Sequence, residues 1–152
     1  MDIGVYGVAF AQHILGHRPS EIAGLIHIGQ TGVDERSIVN LRYDSGALAS
    51  ILSSIRDDWK MEGVIEGSEG SILVPGKISR LNEFVLTRSD GQVKHFRFGN
   101  LGNGYSYEAL EVGRCLQEGR LESELVPLEE SVAVLRTMDQ LRARWNLRFP
   151  GE

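Results

Sequence analysis

Asp2 and Tyr6 stand four residues apart, a spacing that stacks two side chains on one face of a helix. A carboxylate beside a phenol is a unit that can relay a proton. A phenol ordinarily titrates near pH 10, however, so it works at neutral pH only when a cation lowers that value or a network carries the proton onward. The surrounding sequence offers no evident cation, and the same two residues also suit a helix-start aspartate meeting the macrodipole beside a half-buried tyrosine. His13 and His17 have the spacing that can hold a metal from a helix, but Gly16 and Pro19 put His17 at or beyond the helix end. No metal site is expected. His27 and His95 are lone residues in strand-like runs, and Cys115, flanked by Val112 and Leu116, reads as a small core residue rather than a nucleophile.

Cofactor-binding signatures are wanting. Gly63, Gly67 and Gly70 have the wrong spacing for a dinucleotide loop and sit between two strand-like runs, where a hairpin turn explains them. There is no nucleophile elbow, no phosphate-binding loop and no cysteine pair for zinc. The chain is expected to bind no dinucleotide by itself.

The elements that must position Asp2 and Tyr6 follow from periodicity. Ile3, Gly7, Ala11 and Ile14 recur with helical spacing from Asp2 to Leu15, and Gly4, Gly7 and Ala11 form a small-residue side that lets the helix lie close to another layer. Strand-like runs cover Glu21 to Ile28, Arg36 to Tyr43, Ala47 to Arg56, Lys60 to Glu66, Ser71 to Val74, Glu83 to Thr87 and Gln92 to Phe98. Turn sequences such as Asp44-Ser45-Gly46 and Ser89-Asp90-Gly91 join them, and connections this short require antiparallel neighbours. Two helices close the chain, the first beginning near Ser106 as N-cap and ending at Gly119. The second carries Ser131, Val134, Leu135, Met138, Leu141 and Trp145 on one face. This order predicts an α+β fold, a large and mainly antiparallel mixed sheet with helices packed on one face. Val39, Leu41, Ile51 and Phe96 cannot all be buried by one layer, so the uncovered sheet face is expected to form a homodimer.

At 152 residues the chain has the size of one domain, and no linker divides it, so residues 1–152 are expected to form a single unit. The 18 glycines are more than average composition supplies, and most fall between β-branched runs, as hairpins require. A net charge of −5 with scattered Lys and Arg argues against nucleic acid as a partner. One cysteine fits a reducing compartment, with cytoplasm the default, and no apolar run suits a membrane span.

Asp2-Ile3-Gly4-Val5-Tyr6 resembles the helix that opens the C-terminal domain of the Gfo/Idh/MocA oxidoreductases. The resemblance continues through Thr31-Gly32-Val33-Asp34, Gly67-Ser68-Glu69-Gly70, Tyr105-Ser106-Tyr107-Glu108-Ala109, Val126-Pro127-Leu128-Glu129-Glu130-Ser131 and Met138-Asp139, in family order across the chain. Tyr6 in place of histidine is similar to the branch holding the dimeric dihydrodiol dehydrogenases, the NADP-dependent xylose dehydrogenases and glucose-fructose oxidoreductase. The resemblance implies that Tyr6 is the proton donor and acceptor to a substrate oxygen, with Asp2 positioning substrate. It implies a lysine from a nucleotide-binding domain as the cation and NAD or NADP as cofactor of the whole protein. That domain is not expected within this chain, which would be the substrate-side and dimerisation domain of a dehydrogenase acting on a sugar, diol or related small molecule. The competing expectation is a sheet-mediated dimer or binding module without catalysis.

Overall fold

A computed structural model describes residues 1–57, 62–99, 102, 104–149 and 151. Two compact units emerge, one of Met1–Trp59 with Glu124–Glu152 and the other of Lys60–Ser123. The fold is α+β with antiparallel strands, as the sequence predicts. Among the described residues the hydrogen bonding gives a three-stranded and a four-stranded sheet.

The first unit opens with helix α1 (Gly4–Leu15), followed by β1 (Glu21–Ile28), β2 (Asp34–Arg42) and β3 (Leu48–Ser54), and it closes with helix α3 (Leu128–Trp145). The strands form a meander in the order β1-β2-β3. The β2–β3 turn is built on Asp44-Ser45-Gly46, where Gly46 takes φ of 88° and donates its N–H to the Tyr43 carbonyl at 2.9 Å. A side chain at that φ would be strained, so glycine is the residue that closes the hairpin there.

One face of this sheet carries Ile22, Val39, Leu41, Ala49 and Ile51. They pack with Val8 and Ala11 of α1 and Val134, Met138 and Leu141 of α3 to form the core. Leu41 and Leu141 are almost fully buried, each worth roughly 1.5–3 kcal/mol of apolar burial. Val39, Leu41 and Ile51 share one covered face. Phe96 belongs to the other unit. Apolar groups on the opposite face include Leu25, Ile38 and Leu52, which the register Leu25↔Ile38 and Ile38↔Leu52 sets in one cross-strand row. They are 75%, 40% and 56% exposed.

α3 buries Glu130, Ala133, Val134, Thr137, Met138 and Leu141, while Leu135 and Ser131 are exposed, unlike the face the apolar pattern suggests. Glu129 and Glu130 in the first turn and Arg142 and Arg144 in the last complement the helix dipole, and Asn146 ends the helix in the left-handed conformation at φ of 51°. Trp145 lies over Gly24 of β1, its indole N–H donating to the Gly24 carbonyl at 3.1 Å.

The second unit holds β4 (Gly63–Gly67), β5 (Gly70–Val74), a short 3-10 turn (Ile78–Arg80), β6 (Glu83–Arg88), β7 (Val93–Arg97) and helix α2 (Tyr105–Gln117). Its sheet is the meander β4-β5-β6-β7, with Phe84 stacked on Phe96 at 4.5 Å between ring centres. The start of the expected Lys60 to Glu66 strand lies outside the described residues. α2 begins one residue before the expected N-cap: Gly104 occupies the capping position without a side-chain bond, and Ser106 falls inside the first turn. No helix among the described residues is long and apolar enough to cross a membrane.

Candidate functional site

α1 is the element that positions both residues singled out for chemistry. It lies directly on β3 through its glycines. A Cβ at Gly7 would meet Ile51 Cγ2 at 2.4 Å, and one at Gly4 would meet Ser53 Oγ at 3.3 Å. The small-residue side read from the sequence is therefore the contact surface. Val8, Ala11 and Gln12 complete it, all buried.

Two polar contacts fix α1 against α3. Gln12 donates from Nε2 to Thr137 Oγ1 at 2.6 Å in the buried interior, and His13 Nδ1 lies 3.0 Å from Glu130 Oε1. These partners are 125 and 117 residues apart in sequence, so no local pattern could pair them. Gln12 nevertheless sits four residues after Val8 on the apolar side, which is the signal that would have placed it inside.

Tyr6 occupies the first turn of α1 with 49% of its surface exposed, turned away from the sheet side. Asp2 sits in the turn leading into the helix and is exposed. The Tyr6 N–H donates to the Ile3 carbonyl at 3.3 Å, so the chain is already coiling at this point. Among the described residues neither side chain makes a hydrogen bond or ion pair, and none joins the two. A phenol and a carboxylate are thus both offered to solvent at the head of an anchored helix. That arrangement can meet a ligand's oxygen from outside.

The other candidates resolve simply. His17 lies beyond α1, which ends at Leu15, so the two histidines do not share a helical face. Among the described residues no three metal-ligating side chains come together. Cys115 is buried in α2, and burial, then the Glu111 carboxylate, push its thiol up, away from the reactive thiolate form. The Glu111 carboxylate is held down at about 2 by hydrogen bonds from Arg114 and Ser123. Asp57, at the end of β3, is likewise lowered to about 2 by hydrogen bonds from Arg36 and Ser54. Both are structural ties.

Gly67 and Gly70 belong to the β4–β5 hairpin rather than to a strand–helix junction. The first turn of α2 carries Glu108, whose charge opposes a phosphate at that helix start.

An antiparallel sheet with one face backed by two helices, a second antiparallel sheet and a third helix define an α+β fold. Residues 1–73 match the profile described as the GFO/IDH/MocA C-terminal domain. Trans-1,2-dihydrobenzene-1,2-diol dehydrogenase of Mus musculus is 31% identical over 161 residues, a match that covers all of this chain and 47% of that protein. The structure of aldose-aldose oxidoreductase from Caulobacter crescentus, complexed with glycerol, superposes with a TM-score of 0.77 at 19% identity, over 97% of this chain and 45% of that one. KijD10, a 3-ketoreductase from Actinomadura kijaniata in complex with NADP and TDP-benzene, gives 0.70 at 18% identity, over 93% of this chain and 43% of its own. Over residues 1–73 the chain is similar to the C-terminal domain of the Gfo/Idh/MocA oxidoreductases, and over its full length to the trans-1,2-dihydrobenzene-1,2-diol dehydrogenases. It spans about half the length of the curated relatives it matches.

Proposed function

We propose that this chain is the substrate-side domain of an NAD(P)-dependent oxidoreductase acting on a sugar, a diol or a related hydroxyl or carbonyl compound. The observation that carries the reading is Tyr6, half-exposed on a helix that glycine contacts and two polar ties hold in place. A fixed backbone with an unengaged hydroxyl is what proton delivery to a substrate oxygen needs, since general acid–base catalysis depends on position first. In this reading Tyr6 gives a proton to the oxygen of a carbonyl, or takes one from a hydroxyl, and Asp2 holds the substrate beside it. The nicotinamide would supply or accept the hydride from a domain other than this one. The NADP of the KijD10 complex supports a nicotinamide cofactor.

A homodimer through the open face of the first unit is part of the proposal, supported by the exposed row Leu25, Ile38 and Leu52. The setting we propose is cytoplasmic, in keeping with a buried, unpaired Cys115.

Tyr6→Phe in the whole enzyme tests the central claim. Turnover is expected to fall by about 10²–10⁴, the usual worth of general acid–base catalysis, while cofactor affinity and melting temperature hold. A variant that keeps most of its turnover removes the case for Tyr6. Loss of stability instead of turnover would favour the non-catalytic module.

A further inference from the structure

The face of α1 opposite the sheet carries more than Tyr6. His13 follows seven residues later, two helical turns on and within roughly 20° of the same direction, which places it about 10 Å further along the axis. The His13 side chain is 62% exposed, whereas that of its partner Glu130 is 9% exposed. An ionised carboxylate can only accept, so the ring donates from Nδ1. That bond fixes the ring's orientation, and in the neutral ring it leaves Nε2 as an acceptor on the opposite, outer edge. Among the described residues Nε2 has no partner.

We infer that His13 is a specificity-determining residue of the substrate site: its Nε2 accepts a hydrogen bond from a second hydroxyl of a polyhydroxy substrate whose reacting oxygen lies at Tyr6. Two turns of helix separate the two contacts, so the site favours substrates longer than one sugar ring. Glu130 acts as a positioning residue through the ring and touches no substrate. The inference rests on the reading of Tyr6 given above.

The test uses the whole enzyme, two sugars as probes and two substitutions. Cellobiose has two rings and spans the distance; xylose has one and does not. In an NMR titration cellobiose is expected to shift signals of both Tyr6 and His13, and xylose those of Tyr6 without His13. His13→Asn keeps an N–H in the place of Nδ1 and removes the outer nitrogen. It is expected to weaken cellobiose roughly two- to tenfold, the worth of one neutral hydrogen bond, with xylose binding and melting temperature unchanged. His13→Gln, whose amide oxygen reaches the place of Nε2, is expected to restore part of that affinity. If Tyr6 responds but His13→Asn binds cellobiose as tightly as the unaltered enzyme, the role of His13 is overturned and that of Tyr6 stands. If neither sugar moves Tyr6, both readings fall.

Discussion

Replacing Gly7 by alanine measures how tightly α1 is seated. The added Cβ would meet Ile51 Cγ2 at 2.4 Å where ordinary contact begins at 3.4 Å, so about 1.0 Å of overlap must be relieved (3.4 − 2.4). Overpacking of that kind typically costs about 1–3 kcal/mol, while alanine in place of a helical glycine returns up to about 1 kcal/mol. A net loss of about 1 kcal/mol is expected, roughly a fivefold rise in the population of the open state. Gly113, inside α2, has nothing within 4 Å of an added Cβ, so Gly113→Ala is expected to gain about 0.5–1 kcal/mol from the same chemistry. Amide hydrogen exchange, read separately in α1 and α2, reports both. Ile51→Ala removes the clashing methyl, so in that background Gly7→Ala should turn mildly stabilising and a double-mutant cycle should show coupling of about 2 kcal/mol. Additive effects, or slower exchange in Gly7→Ala itself, would refute the close approach.

Leu141→Ala empties a site with no exposure and is expected to cost about 2–5 kcal/mol, read from the urea midpoint. Asp57 and Glu111 both sit at about 2, below their usual values of 3.8 and 4.5. Between those limits the unfolded chain binds protons that the folded chain does not, so their contribution is present above about pH 4.5 and fades as the pH falls towards 2. Carboxyl NMR titrations should place both midpoints near 2, and Asp57→Asn should flatten the acid limb of the stability profile. Leu25→Glu puts charge into the exposed apolar row and should yield a monomer in sedimentation equilibrium if that row is the dimer contact. NADPH fluorescence titration of this chain alone is expected to show no saturable binding at micromolar concentrations.

The local pattern carried much of the fold. The small-residue side of α1 is a property of neighbouring residues, and it lies where periodicity put it. The division into two sheets is a different kind of information. Which strand bonds to which depends on contacts far apart in sequence, and the pattern of each strand is the same in either arrangement. The apolar pattern points Leu135 inward, yet Glu130 and Thr137 take buried positions, each satisfied by a partner on α1 that no local rule could supply. At the site, Tyr6 was legible as a residue type on a helical face. Its exposure and the ties that fix its helix became visible only in three dimensions. The pairing of Asp2 with Tyr6 expected from their spacing is not preformed.

The indole of Trp145 has an optical consequence. Its Cζ2 atom occupies the space a Cβ at Gly24 would approach to 3.0 Å, and its N–H is engaged by the strand carbonyl. A chromophore in that position emits at shorter wavelength when seated than when water replaces the carbonyl and the strand. Trp59→Phe would leave Trp145 as the single tryptophan. Its emission maximum then reads the docking of one helix on one strand, and any event that lifts α3 from β1 changes the colour of the emission before the sheet itself comes apart.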